Sequence, residues 1–129
     1  MTLTREGAHR VLDIYIRARE SQDPDLIVTI FTEDATYHER VLQAPIPDRD
    51  AIRAYWQSKV VHAQANIKVQ LLNVYPDGET VVAEWLAEFD DLAQGVRKRM
   101  REIAVMVFSD GLVRSHREYW ASEQIGQLG

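Results

Sequence analysis

The sequence has no cysteine in its 129 residues. That excludes a disulfide, a thiol nucleophile and a thiolate metal site. It also has no long apolar run: nothing approaches the roughly 20 residues that span a bilayer. The opening MTLTREGAHR is too polar for a secretory leader. Basic charge is in deficit, with 15 Lys and Arg against 20 Asp and Glu and a net charge of −5, and non-specific nucleic-acid binding needs the opposite balance. There is no Gly-rich phosphate loop and no Gly-x-Ser-x-Gly elbow. His9, His38, His62 and His116 show no zinc spacing. These absences lead us to expect a cytoplasmic domain with no cofactor, no metal, and neither nucleic acid nor membrane as partner.

What is present is an ordinary globular composition, 46% hydrophobic and 27% charged. The length fits one domain over residues 1–129, with a core over about 5–120 and a flexible tail at 121–129. Residues 4–20 read as a helix capped by Thr4, with Ala8, Val11, Leu12, Tyr15 and Ile16 on one stripe. Asp23-Pro24 starts a short second helix carrying Ile27, Ile30 and Phe31, which FTED closes. ATYHE reads as a strand, with Tyr37 and Glu39 on one face and Thr36 and His38 on the other. After a loop holding Pro45 and Pro47, a third helix runs from Asp48 to about His62 with Ile52, Tyr55, Trp56 and Val60 inward.

From Asn66 the period changes from helix to strand. Turns at Pro76-Asp77-Gly78, Leu92–Gly95 and Ser109-Asp110-Gly111 divide a four-strand meander. Val81, Ala83, Trp85, Ala87 and Phe89 share one face of its second strand. The strand 97–108 is basic at its start and apolar on both faces from Ile103, which calls for cover on both sides. The basic start has an acidic neighbour to pair with in Glu84, Glu88 and Asp90. Helices first and strands after predict an α+β fold with an antiparallel sheet, curved around the three N-terminal helices to leave a cone-shaped cavity.

FTEDATYHE, DRDAIRAYW, AEWLAEF and DGLVRSHREYW, in this order and spacing, resemble the nuclear transport factor 2-like superfamily, in its SnoaL-like and ketosteroid-isomerase-like branch. The resemblance covers about residues 5–120. It implies a cystatin-like curved sheet, a deep pocket, and a homodimer formed through the convex sheet face. It also implies roles. The isomerase general base falls on Glu39 and its tyrosine donor on Tyr15, whereas its second donor falls on Ala104, two residues from Glu102. The Arg-x-Asp of limonene epoxide hydrolases would fall on Trp85 and Ala87, and their last-strand aspartate on Glu118, where SnoaL-type cyclases also carry an acid.

Glu39 is the leading candidate for proton transfer, since a carboxylate facing an apolar cavity gains basicity by desolvation. A strand-end glutamate paired with Arg40 or Arg49 explains the same residue without catalysis. His116 and Glu118, two apart on the last strand, share a face with Arg114 and Trp120 and have Glu102 within reach. They form either an acid–base cluster or a structural ion-pair network. Phe31, Tyr37, Trp56, Trp85, Phe89, Glu102 and Trp120 would line the site of a small hydrophobic molecule; taken singly, the aromatics are equally explained as core. The functional expectation is an acid–base enzyme needing no cofactor, of isomerase, cyclase, dehydratase or hydrolase type. The alternative is a non-catalytic binding or dimerisation domain of the same fold.

Overall fold

The computed structural model describes residues 3–129. Helix α1 spans Arg5–Ser21. Thr4 caps it, its hydroxyl accepting from the Gly7 N–H at 2.9 Å. Ala8, Val11, Leu12, Tyr15, Ala18 and Arg19 are buried, at the i, i+3, i+4 spacing of a single face. The helix stops at Gln22, which is left-handed at φ 57° and returns its N–H to the carbonyls of Ala18 and Arg19. Helix α2 (Pro24–Ile27) is capped by Asp23 and runs through a 3-10 turn, Val28–Ile30, directly into strand β1, Phe31–His38. FTED is therefore strand rather than the close of a helix. Phe31 already pairs with Val113, and the register slips before Thr36 pairs with Ser115. Helix α3 (Arg49–Trp56) is capped by Asp48 and ends in a π turn, Gln57–Val61.

The remaining strands are β2 (Gln64–Asp77), β3 (Thr80–Asp91), β4 (Val96–Ser109) and β5 (Leu112–Gln127). They form the expected antiparallel meander, and β1 joins its far edge to give the order β1-β5-β4-β3-β2. β1 lies parallel to β5, so the five-strand sheet is mixed. Three helices on one face of an open curved sheet make the fold α+β, as the segregation of helices and strands predicted. Asp110 (φ 50°) and Gly111 (φ 83°) both take positive φ, the turn that joins twisted strands two residues apart. No helix among the described residues is long and apolar enough to cross a membrane.

Two further expectations need correction. Residues 121–127 are not a loose tail: they continue β5, pairing with β4 from Ala121↔Arg101 to Gln127↔Val96. The basic half of β4 would otherwise be an open edge, and this pairing closes it. Arg114 does not share the face of His116 and Glu118. Phe108 pairs with Val113 but Val107 with Ser115, so Arg114 is an extra residue that bulges out to solvent. On strand 103–108, Ala104, Met106 and Phe108 are buried by this chain, while Ile103 is 39% exposed on the convex face. The basic run itself is neutralised across the sheet. Arg97 meets Asp90 at 3.0 Å, Lys98 meets Asp91 at 3.0 Å, and Arg101 meets Glu84 at 3.0 Å.

Gln22 ties α1 to the helix–sheet junction, donating from Nε2 to the carbonyls of Val60 (2.8 Å) and Gln64 (2.6 Å). Gln22→Ala should lower stability by about 1–3 kcal/mol, the cost of part-buried acceptors left unmet. Gln22→Gly should lose less, because glycine prefers the left-handed backbone. Urea midpoints at unchanged m-value check both.

Candidate active site

The site is built where α1 crosses the concave face of β4 and β5. In the β4–β5 register Ala104 opposes Glu118 and Glu102 opposes Trp120, so Glu102 and Glu118 are diagonal neighbours on one face. His116, two residues before Glu118, opposes Met106 on β4 and Tyr37 on β1. Tyr15 descends from α1 onto the same spot. Three donors then converge on a single carboxylate oxygen. Glu118 Oε1 accepts from the Tyr15 hydroxyl at 3.1 Å, from the Tyr37 hydroxyl in a short bond, and from His116 Nε2 at 3.0 Å. The imidazole is held between the two phenol rings, 4.5 Å from Tyr37 and 5.5 Å from Tyr15, and nearly parallel to both.

The protonation states follow from this wiring. Burial, then the charge of Glu118, pushes both tyrosine hydroxyls well above their ordinary value, so they stay protonated as donors. Burial also pushes Glu118 up. The hydrogen bond and charge of His116, the Tyr37 hydroxyl and Arg19 outweigh it, and the carboxyl ends below its ordinary value. Glu102 goes the other way. Burial, followed by the repulsion of Glu118, lifts it well above the usual carboxylate range, and Arg19 offsets only part of this. It is 2% exposed and its Oε2 has no protein partner. The pair is thus one ionised carboxylate beside one neutral carboxylic acid.

Both carboxyls line a cavity of about 330 Å³ that opens between α3 and the sheet. Of the residues chosen from sequence, Tyr15, Tyr37, Glu39, Trp56, Phe89, Glu102, Glu118 and Trp120 line it. Phe31, Trp85 and His116 stand behind the wall, each fully or almost fully buried. Glu39 lies just past the end of β1 at the mouth. Its side chain is 30% exposed and 3.7 Å from Arg40. Its backbone is fixed by Trp120, whose indole N–H donates to the Glu39 carbonyl at 3.2 Å. Among the lining residues that the sequence reading did not choose are Tyr55 and Arg19. Arg19 was legible: it lies four residues after Tyr15, on the same helical face.

Glu102, His116 and Glu118 each place one ligand atom within 4.8 Å of the others. Three such side chains meet the distance requirement for a cation. Glu118 Oε1 is however already the acceptor for three donors, and Glu102 holds its proton. The chemistry of the set is that of a hydrogen-bonded acid–base cluster rather than a coordination sphere.

A curved sheet over three helices, with a carboxyl pair at the closed end of the cone, defines a class of small pocket proteins. The chain belongs to the SnoaL-like domain family, whose model matches residues 12–116. No curated protein sequence matches it. Among solved structures it is similar to SalBIII, described as an epoxide hydrolase/cyclase-like enzyme in pyran ring formation in polyether salinomycin. The two share 23% identity at a TM-score of 0.82, over 95% of this chain and 99% of that one. It is also similar to an M. tuberculosis LEH-like epoxide hydrolase (18% identity, TM-score 0.74, 90% and 84% of the chains). A third is a Catenulispora acidiphila protein with a ketosteroid isomerase-like fold, in complex with trimethylamine (17% identity, TM-score 0.74, 84% and 83%). At these identities the likeness is one of fold.

The raised Glu102 has a consequence for stability. The folded protein keeps this proton at a pH where the unfolded chain has released it. The contribution of Glu102 to stability therefore falls as pH rises from about 4.3 towards its raised folded value, by up to ~1.4 kcal/mol per unit. Glu102→Gln should gain on the wild type progressively as pH rises above about 5 in urea titrations. Parallel curves would show that Glu102 is ionised in the fold.

Proposed function

We propose that the protein is a cofactor-independent acid–base enzyme acting on a small molecule in this cavity. The observation that carries the reading is the unequal setting of two buried carboxyls on the cavity wall: Glu118 Oε1 meets three donors, whereas Glu102 Oε2 meets none. Glu118 is held below and Glu102 above the usual carboxylate range. Groups whose surroundings drive their proton affinities apart divide into acid and base. Glu102 is the acid, and its proton goes to a substrate oxygen. Glu118 receives the proton of the attacking hydroxyl or water. The two carboxyls are neighbours, so the proton passes back and restores the starting state. Tyr15 and Tyr37 hold Glu118 ionised between turnovers. Glu39 at the mouth keeps the role of a second base for substrates reaching that far.

Opening of an epoxide by water or by an internal hydroxyl fits this balance. The carbon–oxygen bond breaks as Glu102 protonates the leaving oxygen, and the nucleophile's proton moves to Glu118. The names of two similar structures support the choice. With styrene oxide as substrate and diol formation followed by NMR, Glu102→Gln and Glu118→Gln should each lose about 10²–10⁴ in kcat, the range of general acid–base steps. Glu39→Gln should lose less than about tenfold. The reverse order would return the proton step to Glu39.

The convex face supports a second part of the reading. Glu84, Ile103 and Tyr119 form one row across β3, β4 and β5, and Ile103 and Tyr119 are 39% and 46% exposed. We propose that this row packs against a second copy of the chain. Sedimentation velocity should give a dimer for the wild type and a monomer for Ile103→Lys, which places a charge in the seam. A monomeric wild type would reject the interface.

A further inference from the structure

The acid–base cluster accounts for one end of the cavity. One helical turn from Tyr15, the same cavity holds a cation with no ion-pair partner at contact distance. Arg19 is 5% exposed, so its guanidinium is as secluded as a core side chain. Its Nε has no hydrogen-bond partner. Among the described residues, no carboxylate oxygen lies within the 4.0 Å of an ion pair with it. The Phe89 ring supports it from one side at 5.5 Å, and the opposite side is cavity wall. A guanidinium cannot shed its charge, and, against the cost of burial, the field of Glu102 and Glu118 favours its charged form. Neither carboxyl reaches it with a hydrogen bond. Glu118 Oε1 is engaged by Tyr15, Tyr37 and His116, so the guanidinium fork has no carboxylate partner from the fold.

We propose that Arg19 is the anchor for a carboxylate on the ligand, so that the cavity takes small organic acids. The geometry fixes where the acid group sits. Tyr15 marks the reacting end and Arg19 follows it by four residues on the same face of α1, about 6 Å further along the helix. A ligand whose carboxylate lies a few bonds from its reacting carbon spans that interval. The guanidinium fork recognises a carboxylate through two parallel hydrogen bonds. Of the other cations on the lining, Arg40 and Lys98 are paired with Glu39 and Asp91 and Lys59 is exposed, which leaves Arg19 as the cation placed to meet an anion inside. This rests on the acid–base reading only for the claim that the bound acid is a substrate. The carboxylate site itself stands without it.

The test is a matched pair of probes, 4-phenylbutyrate and its neutral isostere 4-phenylbutyramide, titrated into the full chain by quenching of Trp56 and Trp120. The wild type should bind the acid about tenfold or more tighter than the amide, the discrimination given by a charged hydrogen-bonded partner. Arg19→Met should abolish the preference, and Arg19→Lys should retain part of it. Equal binding of acid and amide by the wild type, or binding of neither, overturns the proposal. So does an Arg19→Met protein that still prefers the acid, or one that fails to fold, since that would make Arg19 a structural cation. None of these outcomes touches turnover of a neutral epoxide, so failure of the carboxylate site and failure of the acid–base mechanism are read separately.

Discussion

A single buried charge organises this molecule. Glu118 is 6% exposed, and an isolated carboxylate at that depth would neutralise itself by taking a proton. It stays ionised because α1, β1 and β5 each deliver a donor to the same oxygen: Tyr15, Tyr37 and His116. The two tyrosine bonds are also tertiary contacts that tie the first helix and the first strand to the last strand. Partners so far apart in sequence make the cluster a product of the complete fold. Loosening any donor both weakens the cone at its closed end and shifts the charge on which the chemistry depends.

The bulge at Arg114 shows how backbone irregularity serves this arrangement. Val113 is buried and pairs with Phe108, and His116 is buried and pairs with Met106. Three residues separate two inward positions that strict alternation would place on opposite faces. The bulge lets β5 fill the hydrophobic core at its start and present His116, Glu118 and Trp120 to the cavity afterwards. A regular strand would have turned the carboxylate to solvent or the valine out of the core.

Element order, the helix caps at Thr4, Asp23 and Asp48, and the face shared by His116 and Glu118 were all legible in the sequence, because each is a local pattern. Ion pairing of the basic run was legible for the same reason: its partners lie across one hairpin. The missed features depend on long-range pairing. FTED becomes strand only because Val113 waits for Phe31, and the tail becomes strand only because residues 96–101 are there to pair with it. Which carboxyl holds the proton was also out of reach, since it depends on three donors drawn from distant elements. Sequence reasoning favoured Glu39, the carboxylate with the clearest local setting; the fold instead buries Glu102 and Glu118 and leaves Glu39 at the mouth.

The polar atoms around the cavity set stability against function. Among the described residues, seven buried side-chain nitrogens and oxygens have no hydrogen-bond partner, and four of them, on Arg19, Trp56, Gln64 and Glu102, belong to residues that line the cavity. Each such group costs about 1–3 kcal/mol relative to a satisfied one, so several on one wall amount to a sizeable share of a small domain's stability. An apolar lining of the same shape would fold more stably. Its persistence as a polar wall is explained if the groups are met by a ligand that is itself polar at both ends. The cavity then differs from the purely hydrophobic pocket that the aromatic residues alone suggested. Trp56, Phe89 and Trp120 supply apolar walls, while Glu102, Glu118 and Arg19 make the same lining polar, which under the proposed reading would set the direction in which a ligand lies.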